Sequence, residues 1–159
     1  MNRLGRFPRT LWVLVALLVA SQAVRADDDQ RAPSVSLLPR YKQECAACHV
    51  AFPPGMLPAD SWRRLMSNLP RHYGTDASLD ASAVSEVATW LGANAGYRRV
   101  RDAPPEDRIT KSTWFIRKHD ELSAGVWKRP AVKSAANCAA CHTQADEGDF
   151  NEHAVRIPR

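Results

Sequence analysis

C-A-A-C-H occurs twice in the chain, at residues 45–49 and 138–142, and the two copies use all four of its cysteines. The C-x-x-C-H spacing is the attachment motif of c-type haem. On a helix, positions i, i+3 and i+4 share one face, so both sulfurs meet one porphyrin edge and the histidine lies under the iron. The motifs therefore predict two covalently attached haem c groups, held by Cys45, Cys48, Cys138 and Cys141, with His49 and His142 as proximal iron ligands.

Two other uses of the cysteines fit the same spacing. One is a pair of disulfides, each followed by an incidental histidine. The other is a single zinc ion held by all four thiolates. Both leave the histidine that ends each motif without a role, so haem attachment is the favoured interpretation. Four cysteines in 159 residues are also too few for a disulfide-dense scaffold.

The distal position of each iron needs a ligand from elsewhere in the chain, and histidine or methionine is the usual one in cytochromes c. His72 lies between Pro70 and Gly74, on a constrained turn from which its side chain reaches back over the first haem. His119 shares a helix face with Phe115 and is the last spare histidine before the second motif. We predict His72 and His119 as the distal ligands. A surface position for His72, and a surface or core position for His119, are the alternatives.

Three further side chains compete for these positions. His153 follows several acidic residues near the chain end and is predicted to be a solvated surface residue, with ligation of the first haem as the alternative. Met66 lies on the apolar stripe of a helix and is predicted to belong to the core. Met56 lies in a rigid, apolar, proline-rich loop and stays a competitor for the first iron.

The periodicity of the apolar residues predicts a mainly α fold, with short helices and long loops packed around two haems. Strand-like alternation is absent. Asp80 is a candidate N-cap and Gly96 a candidate helix stop. We expect a first-haem half at 27–100 and a second-haem half at 101–159, together forming one dihaem unit. The predicted helices span residues 41–50, 60–69, 80–94, 112–122 and 134–143.

The N-terminal residues have the pattern of a secretory signal peptide. Three arginines precede the apolar run 11–20, and small residues lead to a predicted cleavage after Ala26. An uncleaved anchor is the alternative, although the run is shorter than a membrane-spanning helix. Cleavage removes four of the 22 basic residues and none of the 17 acidic ones, leaving a net charge of +1. This argues against nucleic-acid binding, and with the haem motifs it favours a bacterial periplasm.

Four segments of the chain resemble the small periplasmic dihaem cytochrome c family: residues 44–62, 71–80, 104–119 and 132–150. Members of that family are described as electron donors to a monohaem, oxygen-binding cytochrome. The family's haems are bis-histidine, which implies two distal histidines here, and His72 and His119 lie inside the resembling segments. The resemblance leaves open which distal histidine serves which haem. It implies a soluble electron carrier whose potentials lie below those of His/Met cytochromes.

Two other functions use the same haems. A dihaem peroxidase or gas-binding enzyme needs one iron with an open position, and this chain is short for a peroxidase. A haem-bearing small subunit of a periplasmic reductase differs from the carrier only in its partner. We therefore predict an electron-transfer protein with no catalytic residues, whose partner is another redox protein.

Overall fold

Short helices joined by long loops make up the computed structural model, which describes residues 35–96, 100 and 102–159. Within these ranges there is no strand, only two isolated bridges. The predicted mainly α fold is confirmed. The predicted signal peptide, residues 1–26, lies outside the described residues. The α-helices are α1 (Pro39–Cys45), α2 (Ala59–Met66), α3 (Ala81–Asn94), α4 (Thr113–Lys118) and α5 (Ala124–Trp127).

Single 3₁₀ turns connect and extend these helices. Prolines begin or occupy several of them, because a fixed φ suits the first position of a helical turn and the missing N–H stops it from growing. They span Pro54–Met56, Leu69–Arg71, Pro105–Asp107, Ile109–Lys111, Cys138–Ala140, Ala145–Glu147 and Glu152–Ala154. No helix in the described part of the chain is long and apolar enough to cross a membrane.

Among the helices of the described ranges α3 is the longest, and it lies where the periodicity places it. The Asp80 carboxylate accepts a hydrogen bond from the Ala83 amide at 2.9 Å, so the predicted N-cap is present. Val87 and Leu91, one turn apart, are fully buried. Gly96 lies just beyond the end of α3, where the Gly55 carbonyl oxygen would be 2.5 Å from an added Cβ. Its small size therefore allows the chain after α3 to pack on this loop.

The main hydrophobic core belongs to the first half of the chain. The Trp62 indole N–H on α2 donates to the Pro54 carbonyl at 2.7 Å and ties this helix to the loop after the first motif. Met66 is a core residue, as predicted. The buried members of the cluster are Tyr41, Ala51, Leu57, Trp62, Met66, Leu69, Val87 and Leu91.

The second half of the chain contains few buried apolar side chains. Those described are Phe115, Val126, Val132, Cys141 and Ala145, and none belongs to the main cluster. A segment with so little core of its own needs another source of stability, such as a bound cofactor. The division at residues 100 and 101 stays a prediction.

The two predicted motif helices are wrong in extent. Helix α1 ends at Cys45, and residues 46–49 form a turn and a bend instead of continuing to residue 50. The predicted helix 134–143 is reduced to the 3₁₀ turn Cys138–Ala140. The first departure has a physical cause, because Ala51 is buried in the core and the prolines at 53 and 54 cannot continue a helix.

The cap of α3 gives the folded protein an acid-sensitive contact. Hydrogen bonds from the Ser82 hydroxyl and the Ala83 amide hold the pKa of the Asp80 carboxyl below its usual value. Because the pKa of Asp80 is lower in the folded chain, its ionised carboxylate contributes to the free energy of unfolding. This contribution is complete above the pKa of an aspartate in the unfolded chain, about 3.9, and is lost as the pH falls through the folded-state pKa. We expect Asp80→Ala to destabilise the haem-loaded protein at neutral pH, and its difference from wild type to shrink below about pH 4.

Denaturant unfolding at a series of pH values measures this difference. Glu86→Ala is the matched control, because Glu86 is exposed on the same helix and makes no side-chain hydrogen bond to a described residue. Its difference from wild type should not follow the same pH course. A deficit of Asp80→Ala that stays constant into acid would contradict the expected role of the carboxylate.

Candidate haem sites

The four motif cysteines form no disulfide bond in the structure. Burial raises the pKa of Cys45 to about 11 and also raises the pKa values of Cys138 and Cys141. The described residues contain no group of three or more potential ligands placed for a metal ion. Neither the disulfide nor the zinc alternative is found.

The structure brings His72 opposite His49. Their ring centroids are 6.1 Å apart with 28° between the planes. His49 lies at the bend after α1, where its Nδ1 donates to the Val50 carbonyl at 2.7 Å and its ring stacks on Phe52 with centroids 4.9 Å apart. The Nδ1 bond leaves Nε2 as the nitrogen available to a metal.

The turn that carries His72 is built from local hydrogen bonds. His72 directly follows the 3₁₀ turn Leu69–Arg71, and its amide donates to the Leu69 carbonyl at 3.2 Å. The Thr75 amide then donates to the His72 carbonyl at 3.0 Å, and Gly74 takes a φ of 95° that glycine readily adopts. The predicted constrained turn around His72 is therefore present.

The second pair consists of His119 and His142, whose ring centroids are also 6.1 Å apart, with 70° between the planes. Helix α4 begins at its Ser112 cap and ends at Lys118, so His119 is the residue after the helix and not part of a helix 112–122. The His119 Nδ1 donates to the Phe115 carbonyl at 2.9 Å. The Phe115 ring stacks on the imidazole with centroids 4.1 Å apart.

A single tight turn positions His142. The Cys138 carbonyl accepts hydrogen bonds from the amides of both Cys141 and His142, at 3.1 and 2.8 Å. The shared face expected of an i, i+3, i+4 motif is therefore kept within one turn, although no longer helix forms. An isolated bridge joins His142 to Val155 near the chain end.

The spacing of both pairs fits one iron between two imidazoles. A metal lies about 2 Å from a ligating imidazole nitrogen. The ring centre lies roughly 1.1 Å further on, since the ring bonds are about 1.33 Å long. Two rings on opposite sides of one iron therefore have centres roughly 6.2 Å apart. Both pairs show 6.1 Å.

The state of the imidazoles also suits metal ligation. Burial, with a contribution from the neighbouring His49, lowers the pKa of His72. Burial, with a contribution from His119, likewise lowers the pKa of His142. A lowered pKa keeps an imidazole neutral, which is the form that binds a metal. The buried Nδ1 atoms of His72 and His142 have no hydrogen-bond partner among the described residues.

The other candidate ligands lie elsewhere. His153 is exposed, and Met66 is buried in the core. Met56 is half-buried, and its carbonyl accepts a bond from the Trp114 indole at 3.3 Å. The structure thus pairs the two histidines predicted as distal ligands with the two motif histidines, one pair for each motif.

The predicted neighbour of His119 is present, since Phe115 stacks on its ring. Sequence reasoning did not place three other aromatic side chains that lie beside the imidazoles: Phe52, Trp127 and Phe150. The spacing of Phe52 from His49 carried no signal of their contact, because the chain between them is not helical.

Comparison with known proteins identifies the family. The family model "Dihaem cytochrome c" matches residues 41–150. A comparison with curated proteins found no match. Among solved structures, a dihaem cytochrome c from Shewanella baltica OS155 is 37% identical with a TM-score of 0.66, over 76% of this chain and 92% of that chain. A structure of DHC purified from Rhodobacter sphaeroides is 44% identical with a TM-score of 0.64, over 73% of this chain and 99% of that chain.

The chain belongs to the dihaem cytochrome c family. It carries two covalently attached haem c groups, as the two C-x-x-C-H motifs predict. It is therefore a dihaem c-type electron carrier.

Proposed function

We propose that both haems are bis-histidine, with His49 and His72 on the first iron and His142 and His119 on the second. The centroid spacing of 6.1 Å in both pairs carries this proposal. Backbone carbonyls bind Nδ1 of one ring in each pair, His49 and His119, which leaves Nε2 of that ring free for a metal. The spacing also supports uncrossed ligation, in which each distal histidine serves the motif it faces.

The protein then transfers electrons and turns over no substrate. Each haem supplies a reversible one-electron change at its iron. The four histidines fill both axial positions of both groups, so no position remains for a substrate. Paired imidazoles also set potentials below those of His/Met cytochromes, because the methionine that raises the potential is missing.

The same proposal includes a location and a partner. A signal pattern at residues 1–26 and covalent haem attachment support export to a bacterial periplasm. The family resemblance supports an electron acceptor such as a monohaem, oxygen-binding cytochrome. Electron-transfer partners dock through small, transient interfaces, so we expect weak and salt-sensitive association.

An absorption spectrum of the reduced, haem-loaded protein with and without carbon monoxide tests the ligation. We expect no rapid change for the wild type, because both irons are six-coordinate. His72→Ala and His119→Ala should each make one haem of the two reactive, and His153→Ala, at an exposed histidine, should make neither reactive. A wild-type protein that takes up the gas at once would instead favour gas-binding or peroxide chemistry. A large subunit that co-purifies stably would favour the reductase subunit.

A further inference from the structure

Tyr73, the residue after His72, is held by a segment at the start of the second half of the chain. Its hydroxyl has one proton to donate and lies within hydrogen-bond distance of two carbonyls, that of Glu106 at 2.9 Å and that of Asp107 at 3.0 Å, so the bond is bifurcated. The Arg108 guanidinium lies over its ring, 4.2 Å from the centroid. Arg64 on α2 donates two hydrogen bonds to the Asp107 carboxylate. We refer to Arg64, Tyr73 and Glu106–Arg108 as the Tyr73 clamp.

Three residues of the clamp, on both sides of the Tyr73 contact, have a strained backbone conformation. Tyr73, Glu106 and Asp107 have φ values of 53°, 57° and 54°, in the left-handed region that side chains other than glycine rarely adopt. They are three of the four non-glycine residues with positive φ in the described part of the chain. Such conformations persist only where surrounding contacts over-determine them, and they concentrate at functional sites.

We propose that Tyr73 is a positioning residue that keeps His72 on the first haem, acting through the clamp. This inference rests on the proposed ligation by His72. The His72 ring has no hydrogen bond to a described residue, whereas His119 is fixed by both a carbonyl and a stacked ring. Its orientation therefore depends on the backbone of its turn and on the edge-on contact with the Tyr73 ring, 4.9 Å between centroids. The side chain that joins this turn to a distant segment is Tyr73, through its hydroxyl bond to residues 106 and 107 and the Arg108 guanidinium over its ring.

A cleft lies beside the clamp, next to the His72 turn that Tyr73 restrains. The cleft, of about 250 Å³, is lined by His72, Tyr73, Arg64, Asp107 and neighbouring residues, and none of the described lining residues comes from the first haem motif. An imidazole released from iron has room to turn into this cleft. A looser Tyr73 would therefore lengthen the time that His72 spends off the metal.

The clamp also links the two halves of the chain. The segment that accepts the Tyr73 hydroxyl bond leads through the turn Ile109–Lys111 into α4, and His119 is the residue that follows α4. The distal ligand of the first haem is thus anchored on the element that precedes the distal ligand of the second. A substitution in residues 105–108 should therefore affect the first haem before the second, although the first haem motif is distant in sequence.

The rate of carbon monoxide uptake by the reduced, haem-loaded protein tests the proposal. At saturating gas the uptake rate reports how often His72 leaves the iron. We expect Tyr73→Phe to raise this limiting rate about tenfold, equivalent to about 1.4 kcal/mol, because the ring and its arginine remain while the hydroxyl bond is lost. The product spectrum should match that of His72→Ala, which identifies the first haem.

Two further variants complete the experiment. Thr89→Val is the matched control, since Thr89 on α3 also donates its hydroxyl to a backbone carbonyl, that of Ser85 at 2.8 Å. It should leave the rate unchanged. Asp107→Asn keeps Tyr73 but weakens the ion pair with Arg64, and should accelerate uptake by a smaller factor. It therefore tests the clamp even if Tyr73→Phe does not fold.

The failures of the two proposals are distinguishable. Rapid uptake by the wild type at one haem would overturn the proposed ligation itself. A slow wild type with Tyr73→Phe and Asp107→Asn no faster than Thr89→Val would overturn only the clamp. Faster uptake with a product matching His119→Ala would also overturn it, because the affected haem would then be the second.

Discussion

A methionine in place of His119 should raise the reduction potential of one haem by on the order of 100 mV and leave the other unchanged. A thioether sulfur favours the reduced iron more than an imidazole does, which is why His/Met cytochromes have higher potentials. Among the described histidines, His119 has a ring contact with His142 alone, at 6.1 Å between centroids, so under the proposed ligation the effect is confined to the second haem. Potentiometric titration with optical detection resolves the two haems and measures the shift.

His153→Met is the matched control for this variant. It makes the same chemical change at a histidine that is exposed and makes no ring contact with the other described aromatic or histidine side chains. Its two potentials should equal those of the wild type. His72→Met should shift the first haem in the same direction. An unchanged potential in His119→Met would contradict ligation by His119, and a shift of the first haem in place of the second would contradict the uncrossed pairing.

The chemistry of the chain was easier to predict than its local structure. The covalent haems follow from two short motifs whose residue types are set by the bonds they make. The extents of the two motif helices could not be predicted from local periodicity. Periodicity does not show that Ala51 must reach the core, nor that the second motif fits within one turn. Helix α3 was accurate because its cap and buried stripe lie within one continuous segment.

The pairing of the histidines depends on tertiary structure. The sequence indicates that His72 and His119 are available, but crossed and uncrossed ligation use the same residues. Only the packing of the Leu69–Arg71 turn and of α4 brings each ring opposite one motif. The Tyr73 clamp is less visible still, since it joins residues more than 30 positions apart through backbone carbonyls, which no residue pattern specifies.

Replacing the two cysteines of the second motif should remove the haem of the second half of the chain and leave the haem of the first half attached. We expect Cys138→Ala with Cys141→Ala to reduce the covalent haem from two groups to one per chain. The haem content of acid-acetone-precipitated protein, by absorption and intact mass, measures this. The first motif lies about 90 residues away in sequence and carries its own cysteines. Its haem should remain attached.

The distribution of the core predicts what happens to the fold of that variant. The main apolar cluster, including its partly buried members, lies within residues 37–109, so the first half keeps its packing. The second half has only scattered buried side chains and would lose the haem attached to the second motif. Segments without buried apolar contacts open locally and become accessible to proteases.

Limited proteolysis of the double variant should therefore cut first within residues 110–159 and release a fragment that still carries the first haem. The converse variant, Cys45→Ala with Cys48→Ala, removes the other haem but leaves the main apolar cluster in place, so its first half should resist longer. In each variant, the half that has lost its haem is the one to compare. If the first half of Cys45→Ala with Cys48→Ala is cut as fast as the second half of Cys138→Ala with Cys141→Ala, the apolar cluster does not stabilise the first half independently. The order of cutting thus separates what the haems stabilise from what the side-chain core stabilises.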